Sequence, residues 1–417
     1  MASVTFRDVS KKFPGGGQAL RSVNLSVPDG EFLVLVGPSG SGKTTLLRLL
    51  AGLDQPTSGE ILVDGKPVAG LNASRRNMAM VFQGDSLYPH LSVFQNLAFG
   101  LHGKNPERGF ANLRNVVLSL FGRGNAPASE VDEKVRQAAA WLGVDSMLAR
   151  RPNELSGGER QRVALGRAIV RNPVAFLLDE PFSGLDPMLA RNMAEEFVEI
   201  QKRLKTTTIM VTHNLNPVLS LADRIAVLRR GEMLQVDSTW KVFRKPASRF
   251  VAELVGEPDL NLMEVERIRV VENGNHAEME TSAGLVRLPS RIAGRLPGKL
   301  TLGFRSSDTQ VVPCGKNACL GYASEGELDD QAVVFPSGVV QKVAFCAPGW
   351  RISVGPGPAK KVECGKITWH AMLFAESSYD GFGPTWLAPG VQVRTWVRAE
   401  NCLWLDRETG NNLLKDA

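Results

Sequence analysis

The stretch GPSGSGKTT at residues 37–45 constrains the fold of this 417-residue chain more than any other feature. It follows the apolar run FLVLV at 32–36, which predicts a buried strand, and precedes the helical pattern TTLLRLLAGL at 44–53. A strand, a glycine-rich loop and a helix in that order are typical of α/β nucleotide-binding domains. The sequence therefore predicts a parallel sheet with helices packed on it.

Other segments of the first half fit the same sheet. The runs VAFLLDE at 174–180 and TTTIMVTH at 206–213 predict two further buried strands. The alternation of apolar and polar residues in 3–10 and 22–27 predicts strands near the N-terminus. The Asn-Pro pair at 216–217 is typical of the start of a helix after the last of these strands.

The glycine-rich loop has the spacing G-x-x-x-x-G-K-[ST] of a phosphate site. Gly37, Gly40 and Gly42 allow the backbone amides to surround phosphate oxygens, and the helix N-terminus adds a partial positive charge. Lys43 is placed to reach the β- and γ-phosphates of a nucleotide, and the Thr44 hydroxyl to coordinate Mg²⁺. The structural alternative is a plain glycine-rich turn before a helix, which the full spacing disfavours.

Polar residues stand where the predicted strands end. Asp179 and Glu180 end the second buried strand, where one acid can hold Mg²⁺ and the next can deprotonate an attacking water. His213 ends the third strand, placed to contact a γ-phosphate, and Gln83 ends another strand, in MAMVFQ. Phe13, in KKFPGGG, could stack on adenine. Each has a structural alternative: helix caps for the acids, polar strand ends for the histidine and glutamine, and a core position for the phenylalanine.

A second motif typical of an anion site, LSGGERQRVALGRA at 155–168, lies more than a hundred residues beyond the first. Two glycines follow a serine at the predicted start of a helix, where the amides and the helix dipole favour an anion. The motif also carries Glu159, an acid where such a site would be expected to avoid one. The residues alone do not say which molecule holds its ligand.

Charge and composition set outer bounds. Residues 1–260 hold 32 basic and 26 acidic side chains, and residues 261–417 hold 17 of each, so the net charge of +6 lies in the first part. This suits phosphate ligands or an anionic membrane surface, with a solvated surface as the alternative. No apolar run reaches the roughly 18–20 residues that span a bilayer, and the N-terminus lacks the features of a signal peptide, so we expect the chain to stay in the cytoplasm. Five late cysteines without a CxxC pair predict reduced thiols rather than a metal or disulfide site.

The predicted secondary structure changes after residue 240. The segment 240–261 predicts a connector with one short helical piece between Pro246 and Pro258. Beyond it, short β-like runs such as GLVRLP, KLTLGF, VQVRTWVRA and NCLWLD are broken by glycine and proline. This pattern predicts a small all-β barrel or sandwich.

Together these motifs resemble, in family order over residues 1–240, those of the ATPase subunits of ABC transporters. The resemblance implies an α/β P-loop ABC ATPase domain at 1–240 that uses ATP and Mg²⁺, with a helical subdomain at about 85–170. The implied ATP-binding residues are Phe13 (where relatives more often have Tyr), Gly37, Pro38, Ser39, Gly40, Ser41, Gly42, Lys43, Thr44, Thr45 and Gln83. Glu180 would be the catalytic base, His213 the switch histidine, and Thr44, Gln83 and Asp179 the Mg²⁺ ligands.

The resemblance also implies a homodimer, or a dimer with a close paralogue. LSGGE would be the signature motif, whose residues Ser156, Gly157, Gly158 and Glu159 would face the ATP held by the second subunit, and Asp186 would belong to the D-loop. Glu159 would then lie in the first turn of a helix, where the dipole favours an acid, and we expect it to face the ribose or solvent rather than the γ-phosphate.

The motifs RNMAMVFQ and LYPHLSV (87–93) are similar to those of the sugar-importer subgroup, of which the maltose importer's ATPase is the familiar member. LYPHLSV would receive a membrane permease, 241–262 would be a hinge, and 263–417 a regulatory, small all-β (OB-like) domain. LGFRSSD (302–308) and LDRETGNNL (405–413) are weaker matches to motifs of that domain. The implied partners are integral membrane permease subunits and a solute-binding protein, with no nucleic acid, at the cytoplasmic face of the inner membrane.

Two departures from the family pattern stand out. Residues 103–129 look like an insertion, for which we favour a helical excursion on its own domain over an element touching lipid or the permease. Asn214 stands where Asp is common, and we expect little effect on hydrolysis.

The solute is left open by the sequence. The subgroup favours a carbohydrate or sugar phosphate, with polyamine, iron or an oxyanion as alternatives. A soluble ABC ATPase without a transport role is less favoured, because such proteins usually carry two nucleotide domains or a long coiled-coil insertion.

Overall fold

The structure is a computed structural model of the chain, and it divides into two compact units, Met1–Thr239 and Trp240–Ala417. It describes residues 2–84, 87–101, 130–213, 215, 218–219, 221–256, 260–271, 276–281, 283–313, 332–335, 338–346, 349–356, 369–374 and 388–414. The predicted insertion at 103–129, Asn214 and the Asn-Pro pair at 216–217 lie outside the described residues. In these ranges, no helix has the length and apolar character needed to cross a lipid bilayer.

The first unit contains two sheets and a set of helices. Its strands are β1 (Val4–Lys12), β2 (Gln18–Val27), β3 (Phe32–Val36), β4 (Ser58–Val63), β5 (Lys66–Pro67), β6 (Ala79–Val81), β7 (Ala175–Asp179), β8 (Thr207–Thr212), β9 (Arg224–Arg229) and β10 (Glu232–Ser238). Its helices are α1 (Lys43–Ala51), α2 (Ala73–Arg76), α3 (Val93–Phe99), α4 (Glu130–Trp141), α5 (Gly157–Val170) and α6 (Pro187–Leu204), with 3₁₀ turns at Asp145–Met147 and Pro152–Glu154.

The central sheet has the strand order β10-β9-β3-β8-β7-β6. Its strands pair in parallel from β9 to β6, and β10 adds an antiparallel edge. All residues of β3 (FLVLV) and β7 (AFLLD) are buried, as expected for strands covered on both faces. The predicted parallel sheet is confirmed, and β3 has the predicted bounds.

Helix α1 lies between the central sheet and a second, antiparallel sheet of order β2-β1-β4-β5. One hydrophobic core contains buried side chains of both sheets and of α1, among them Phe6, Leu33, Leu46, Leu49 and Ile209. On the other face of the central sheet, Phe176 packs against Phe197 of α6, with ring centroids 5.8 Å apart. The two layers hold α1, and with it the glycine-rich loop, in a fixed position over the sheet.

Helices α3, α4 and α5 lie within residues 85–170, where a helical subdomain is predicted, and α3 and α5 pack closely. A Cβ atom on Gly166 would lie 2.6 Å from Cδ2 of Leu97, and one on Gly100 would lie 2.5 Å from the carbonyl oxygen of Arg167. Because a Cβ atom cannot approach that closely, only glycine allows this separation of the two helices.

The second unit is built mainly of strands, as predicted. These are β11 (Leu260–Val270), β12 (His276–Thr281), β13 (Gly284–Pro289), β14 (Leu300–Arg305), β15 (Thr309–Pro313), β16 (Ala332–Val334), β17 (Gly338–Cys346), β18 (Gly349–Pro356), β19 (Trp369–Phe374), β20 (Gln392–Arg398) and β21 (Leu403–Asp406). They form one antiparallel sheet of order β19-β18-β17-β20-β16-β13-β12-β11-β14-β21, and β15 pairs with β20. The helices are α7 (Thr239–Arg244), α8 (Arg249–Gly256) and α9 (Ser290–Ala293), with 3₁₀ turns at Ser306–Asp308 and Ala399–Asn401.

The predicted helical piece between Pro246 and Pro258 is confirmed as α8, and the structure adds a second helix, α7, before Pro246. Pro246 lies between them, and proline lacks the N–H that a continuous helix would need there. Both helices are anchored within the second unit by the motifs at 302–308 and 405–413.

The anchoring contacts are specific. The Arg305 guanidinium lies 3.5 Å from the ring centroid of Phe243 and donates to the Phe243 carbonyl oxygen at 2.7 Å. Arg244 of α7 forms an ion pair with Asp308 at 2.7 Å, and the Arg249 amide of α8 donates to the Gly410 carbonyl oxygen at 2.7 Å. These two motifs therefore have a packing role.

Candidate functional site

Four neighbouring parallel strands bring the predicted site residues to one edge of the central sheet. Strand β3 leads into Gly37, β8 into His213, and β6 into Gln83, while Asp179 ends β7 and Glu180 follows it. In the order β3-β8-β7-β6, each strand lies beside the next, so their carboxyl ends meet. Polar groups at this edge of an α/β sheet form the usual ligand site of such folds.

The loop before α1 is shaped for an external ligand. Gly42 precedes the helix with φ of 106°, and among the residues that the structure describes no side chain caps the helix start. A Cβ atom on Gly42 would lie 2.5 Å from the carbonyl oxygen of Ala19, and one on Gly37 would lie 2.0 Å from that of Leu228. Only glycine fits at these two positions, and the amides at the helix start have no side-chain acceptor.

Lys43 and Ser41 turn polar groups toward the inside of this loop. The buried Lys43 ammonium donates to the carbonyl oxygens of Gly37 and Pro38 at 2.7 and 2.9 Å. Burial lowers the pKa of Lys43, and the nearby Glu180 and Asp179 carboxylates oppose that shift. The Ser41 hydroxyl oxygen is buried and has no hydrogen-bond partner in the described part of the chain. A buried hydroxyl and ammonium in a glycine-rich loop before a helix start fit the phosphates of a nucleotide.

Thr44 and Asp179 form an oxygen pair that fits Mg²⁺. The Thr44 hydroxyl donates to the Asp179 carboxylate at 3.0 Å. Burial raises the pKa of Asp179, and the Thr44 hydrogen bond only partly opposes it. A buried carboxylate beside a hydroxyl would be stabilised by a divalent cation, and both groups are hard oxygen ligands.

Glu180 has its carboxylate held between two side chains. It lies 2.9 Å from Nδ1 of His213 and accepts from the Gln83 amide nitrogen at 3.3 Å. Its backbone is left-handed, with φ of 50°, and its amide donates to the Val211 carbonyl oxygen of the adjacent strand. A non-glycine residue in this conformation is a local strain of the kind that marks functional sites. His213 therefore contacts the expected base directly.

Phe13 lies on the turn between β1 and β2. Its amide donates to the Gly17 carbonyl oxygen at 2.9 Å, and its ring is 42% exposed. The Lys11 ammonium lies 5.3 Å from the ring centroid. Strand β2 follows this turn, and its residue Ala19 lies against Gly42. The exposed ring is therefore close in sequence to a strand that contacts the phosphate loop.

The second motif forms a self-contained helix start. Ser156 is the N-cap of α5, its hydroxyl accepting from the Glu159 amide at 3.3 Å. The Glu159 carboxylate accepts from the Ser156 amide at 2.7 Å, and these hydrogen bonds lower the pKa of Glu159. Ser156 and Gly157 are exposed, while a Cβ on Gly158 would lie 2.9 Å from Cδ2 of Leu189. The hydrogen bonds of Ser156 and Glu159 given above lie within this motif, and those of Lys43 lie within the loop 37–45.

The other predicted site residues have simpler surroundings. Pro38, Ser39 and Gly40 form the exposed tip of the loop, and Thr45 is half-buried in the first turn of α1. Asp186 is the N-cap of α6 and accepts from the Leu189 amide at 2.9 Å. Asp186 thus has the contacts of a helix cap, and its D-loop role stays a prediction.

One contact within the site and two residues beside it were missed by the sequence analysis. Glu159 completes a capping box whose S-x-x-E pattern was readable in the sequence. Arg76, which is 4% exposed, donates to the carbonyl oxygens of Leu49 and Leu50 at the end of α1, at 2.6 and 2.9 Å. Asn96 is fully buried and bonds to the loop before α3. Arg76 and Asn96 act through tertiary contacts, which no local sequence pattern indicates.

Comparison with known proteins finds relatives that belong to ABC transporters. A family model described as ABC transporter matches residues 20–183. The sn-glycerol-3-phosphate import ATP-binding protein of Bordetella avium is 42% identical over 307 residues, which are 73% of this chain and 78% of the relative. The proteins of that name from Rhizobium meliloti and from Rhodopseudomonas palustris strain CGA009 are 42% and 41% identical, over 74% and 79% of this chain and 78% of each relative.

A solved structure of cbiO1 from Clostridium perfringens, described as part of an ABC transporter complex, is 28% identical, with a TM-score of 0.48, and covers 57% of this chain and 89% of its own. The first unit ends at Thr239, so a match over 73% of the 417 residues also includes part of the second unit.

Proposed function

This chain belongs to the ATP-binding subunits of ABC importers of the sugar-importer type and hydrolyses ATP, and from that premise we propose that it works as a homodimer, or with a close paralogue, to drive uptake of a sugar phosphate. The hypothesis has three parts: the roles of the residues at the sheet edge, the sharing of each ATP between two subunits, and the identity of the solute.

At the sheet edge, the loop 37–45 binds the ATP phosphates and Phe13 stacks on the adenine. Lys43 releases the carbonyl oxygens of Gly37 and Pro38 and turns its ammonium to the β- and γ-phosphates. Thr44, Asp179 and Gln83 would hold Mg²⁺, which when bound neutralises charge on the β- and γ-phosphates.

Glu180 acts as the general base that takes a proton from the attacking water. His213 and Gln83 orient its carboxylate through the contacts at 2.9 and 3.3 Å. Because Gln83 begins the segment that leads to 87–93, this contact also gives the permease side a route to the base.

The observation that carries the dimer is the surface beside Ser156. Ser156 and Gly157 are exposed, and a Cβ on the following Gly158 would lie 2.9 Å from Leu189 of α6. The residue before Leu189 in that helix, Met188, is 75% exposed although it is apolar. The Ser156 hydroxyl accepts its hydrogen bond from Glu159, so its own proton can still be donated to a γ-phosphate. An exposed apolar side chain beside unused donors suits a second subunit that brings ATP with it.

The segment 87–93 is the proposed docking stretch for a membrane permease at the cytoplasmic face of the membrane, where a solute-binding protein delivers the solute from the other side. No nucleic-acid partner is proposed. Sedimentation with membranes through integral partners tests this placement against a soluble, non-transport ABC ATPase, which would stay in the supernatant.

For the solute, the relatives' names support sn-glycerol 3-phosphate or a similar small sugar phosphate. Polyamine, iron and oxyanion uptake are the alternatives. Uptake of labelled sn-glycerol 3-phosphate should be lost when the gene is deleted and restored by the wild-type chain but not by Glu180→Gln. Normal uptake in the deletion strain would rule out this solute.

The shared site is tested by complementation. Lys43→Ala and Ser156→Arg each inactivate a homodimer, but a mixed dimer retains one intact composite site, so mixing the two variants should restore up to about half of the activity of the dimers that form. Cross-linking or mass measurement confirms that heterodimers are present. Heterodimers without any activity would refute the shared site.

A further inference from the structure

The docking stretch (87–93) is tied to the signature helix α5 by an aromatic contact that neither ATP binding nor hydrolysis explains. The Arg167 guanidinium, on α5, lies 5.4 Å from the centroid of the Tyr88 ring. The same ring lies 4.6 Å from the Phe99 ring at the end of α3. An arginine over a tyrosine face is attracted by the ring quadrupole, and more strongly when the pair is partly desolvated, as here.

Asn96 fixes the backbone on which Tyr88 is carried. Its side-chain oxygen accepts from the Tyr88 amide at 2.8 Å, and its side-chain nitrogen lies within 3.0–3.1 Å of the carbonyl oxygens of Tyr88, Leu91 and Ser92. Asn96 is fully buried. Since the stretch is bonded to α3 at both of its ends, it moves with α3 rather than independently.

Helix α3 is in turn locked to α5 and to the chain just before the signature motif. Gly166 and Gly100 allow backbone-level packing of the two helices. The amides of Val93 and Phe94 donate to the carbonyl oxygens of Arg150 and Leu148 at 2.8 and 2.9 Å. These contacts join the docking stretch, α3 and α5 into one packed unit.

We propose that Arg167 is a positioning residue that transmits displacement of the docking stretch by the permease to Ser156 at the other end of α5. Arg167 lies eleven positions after the N-cap Ser156, which is about 16 Å of helix at 1.5 Å per residue. A tilt imposed at the Tyr88 end therefore moves the signature hydroxyl toward or away from the γ-phosphate of the opposite subunit. This inference rests on the proposed function, because it gives the permease a route to the composite site.

The first test uses the chain reconstituted with its permease and solute-binding protein in lipid vesicles. We measure ATPase activity with and without solute, and take the ratio as stimulation. Arg167→Met should lower the stimulation about three- to tenfold with basal activity of the isolated chain unchanged, and Arg167→Lys should retain part of it. Tyr88→Leu should lower it similarly, and the double variant should lose no more than either single variant.

The matched control is Arg162→Met, on the same helix, since Arg162 bonds to Glu196 and to the Leu142 carbonyl oxygen instead of Tyr88. Its stimulation should equal that of the wild type. Unchanged stimulation in Arg167→Met, or losses that multiply in the double variant, would overturn the inference. A wild-type complex that no solute stimulates would instead refute the proposed function.

The second test needs no permease. The sequence has three tyrosines, so fluorotyrosine labelling of the full chain gives few ¹⁹F signals, and Tyr88→Phe assigns the one from Tyr88. In Arg167→Met, the Tyr88 signal should shift and the amides of 88–93 should exchange hydrogen about tenfold faster, whereas Arg162→Met should leave both unchanged. The same signal and exchange rates in wild type and Arg167→Met would show that the contact does not hold the stretch.

Discussion

Helix α1 starts after Gly42 and helix α5 starts after Ser156. The two starts differ in whether side chains accept hydrogen bonds from their first backbone amides. Gly42 offers no side chain, so the first amides of α1 have no side-chain acceptor. At α5, Ser156 and Glu159 form a capping box that satisfies two amides within the motif. Both starts carry glycines, and both are assigned to ATP, but only the first is left open.

The difference indicates when each start acts. An open helix start with a buried ammonium and hydroxyl is built to bind phosphate from a single subunit. A capped start is stable by itself, so it can be carried exposed on the surface until a second subunit closes on it. Under the proposed function, the phosphate loop would bind ATP first, and the signature motif would contact it only when the second subunit arrives.

The largest expected effect is a loss of ATP hydrolysis that leaves both helix starts unchanged. Glu180→Gln removes the base but keeps a side chain that can bond to His213, so hydrolysis should fall about 10²- to 10⁴-fold. Both helix starts remain intact, so ATP should still bind and drive dimerisation. Steady-state ATPase assays and size-exclusion chromatography with ATP test this, and retained turnover would remove Glu180 from the role of base.

The two helix starts should respond oppositely to an added methyl group. Gly42→Ala places a Cβ 2.5 Å from the Ala19 carbonyl oxygen at φ of 106°, so the free energy of unfolding should fall by about 3 kcal/mol or more. Gly157→Ala meets nothing closer than 3.9 Å and should raise stability by up to about 1 kcal/mol while reducing ATPase activity. Urea unfolding measures both. Equal destabilisation by the two changes would contradict the comparison.

Without a ligand, the buried Asp179 carboxylate near the start of α1 should destabilise the folded chain. Burial raises the pKa of Asp179, so the folded state favours the protonated form, and this group's contribution to stability falls as pH rises above 3.8 through the raised value. Asp179→Asn should therefore melt at the same or a higher temperature at pH 7, by up to about 4 °C, with a flatter pH dependence, and should lose Mg²⁺-dependent hydrolysis. A clear fall in the melting temperature would show that the carboxylate stabilises the free chain.

The smallest effect is expected at the capped start. Glu159→Gln keeps an oxygen that can accept from the Ser156 amide, so ATPase activity should change by less than about twofold. The pKa of Glu159 is lowered by its hydrogen bonds to Ser156, so its contribution to stability is present above 4.5 and is lost as pH falls through the lower value; the glutamine variant should lack that dependence. A many-fold gain in hydrolysis would place Glu159 against the γ-phosphate instead.

Strands and motifs that depend on local pattern were predictable. Strand β3 has the predicted bounds because a run of five apolar residues between turn signals admits little else, and α1 begins and ends within two residues of its pattern. The loop 37–45 was identifiable because its backbone conformation requires glycines at fixed positions, and the spacing of those glycines can be read in the sequence. In the connector, α8 was predictable because Pro246 and Pro258 bound it, whereas α7, on the other side of Pro246, was not predicted.

By itself, the sequence determined that the chain has an α/β nucleotide-binding unit, an all-β unit and the chemistry of a phosphate site, because apolar periodicity and glycine spacing are local properties. The tertiary structure alone decided which side chains meet: His213 with Glu180, Arg76 with the end of α1, and Arg167 with Tyr88. Each of these contacts joins residues between 27 and 79 positions apart. Strand order and helix packing set such distances, and no local pattern records them.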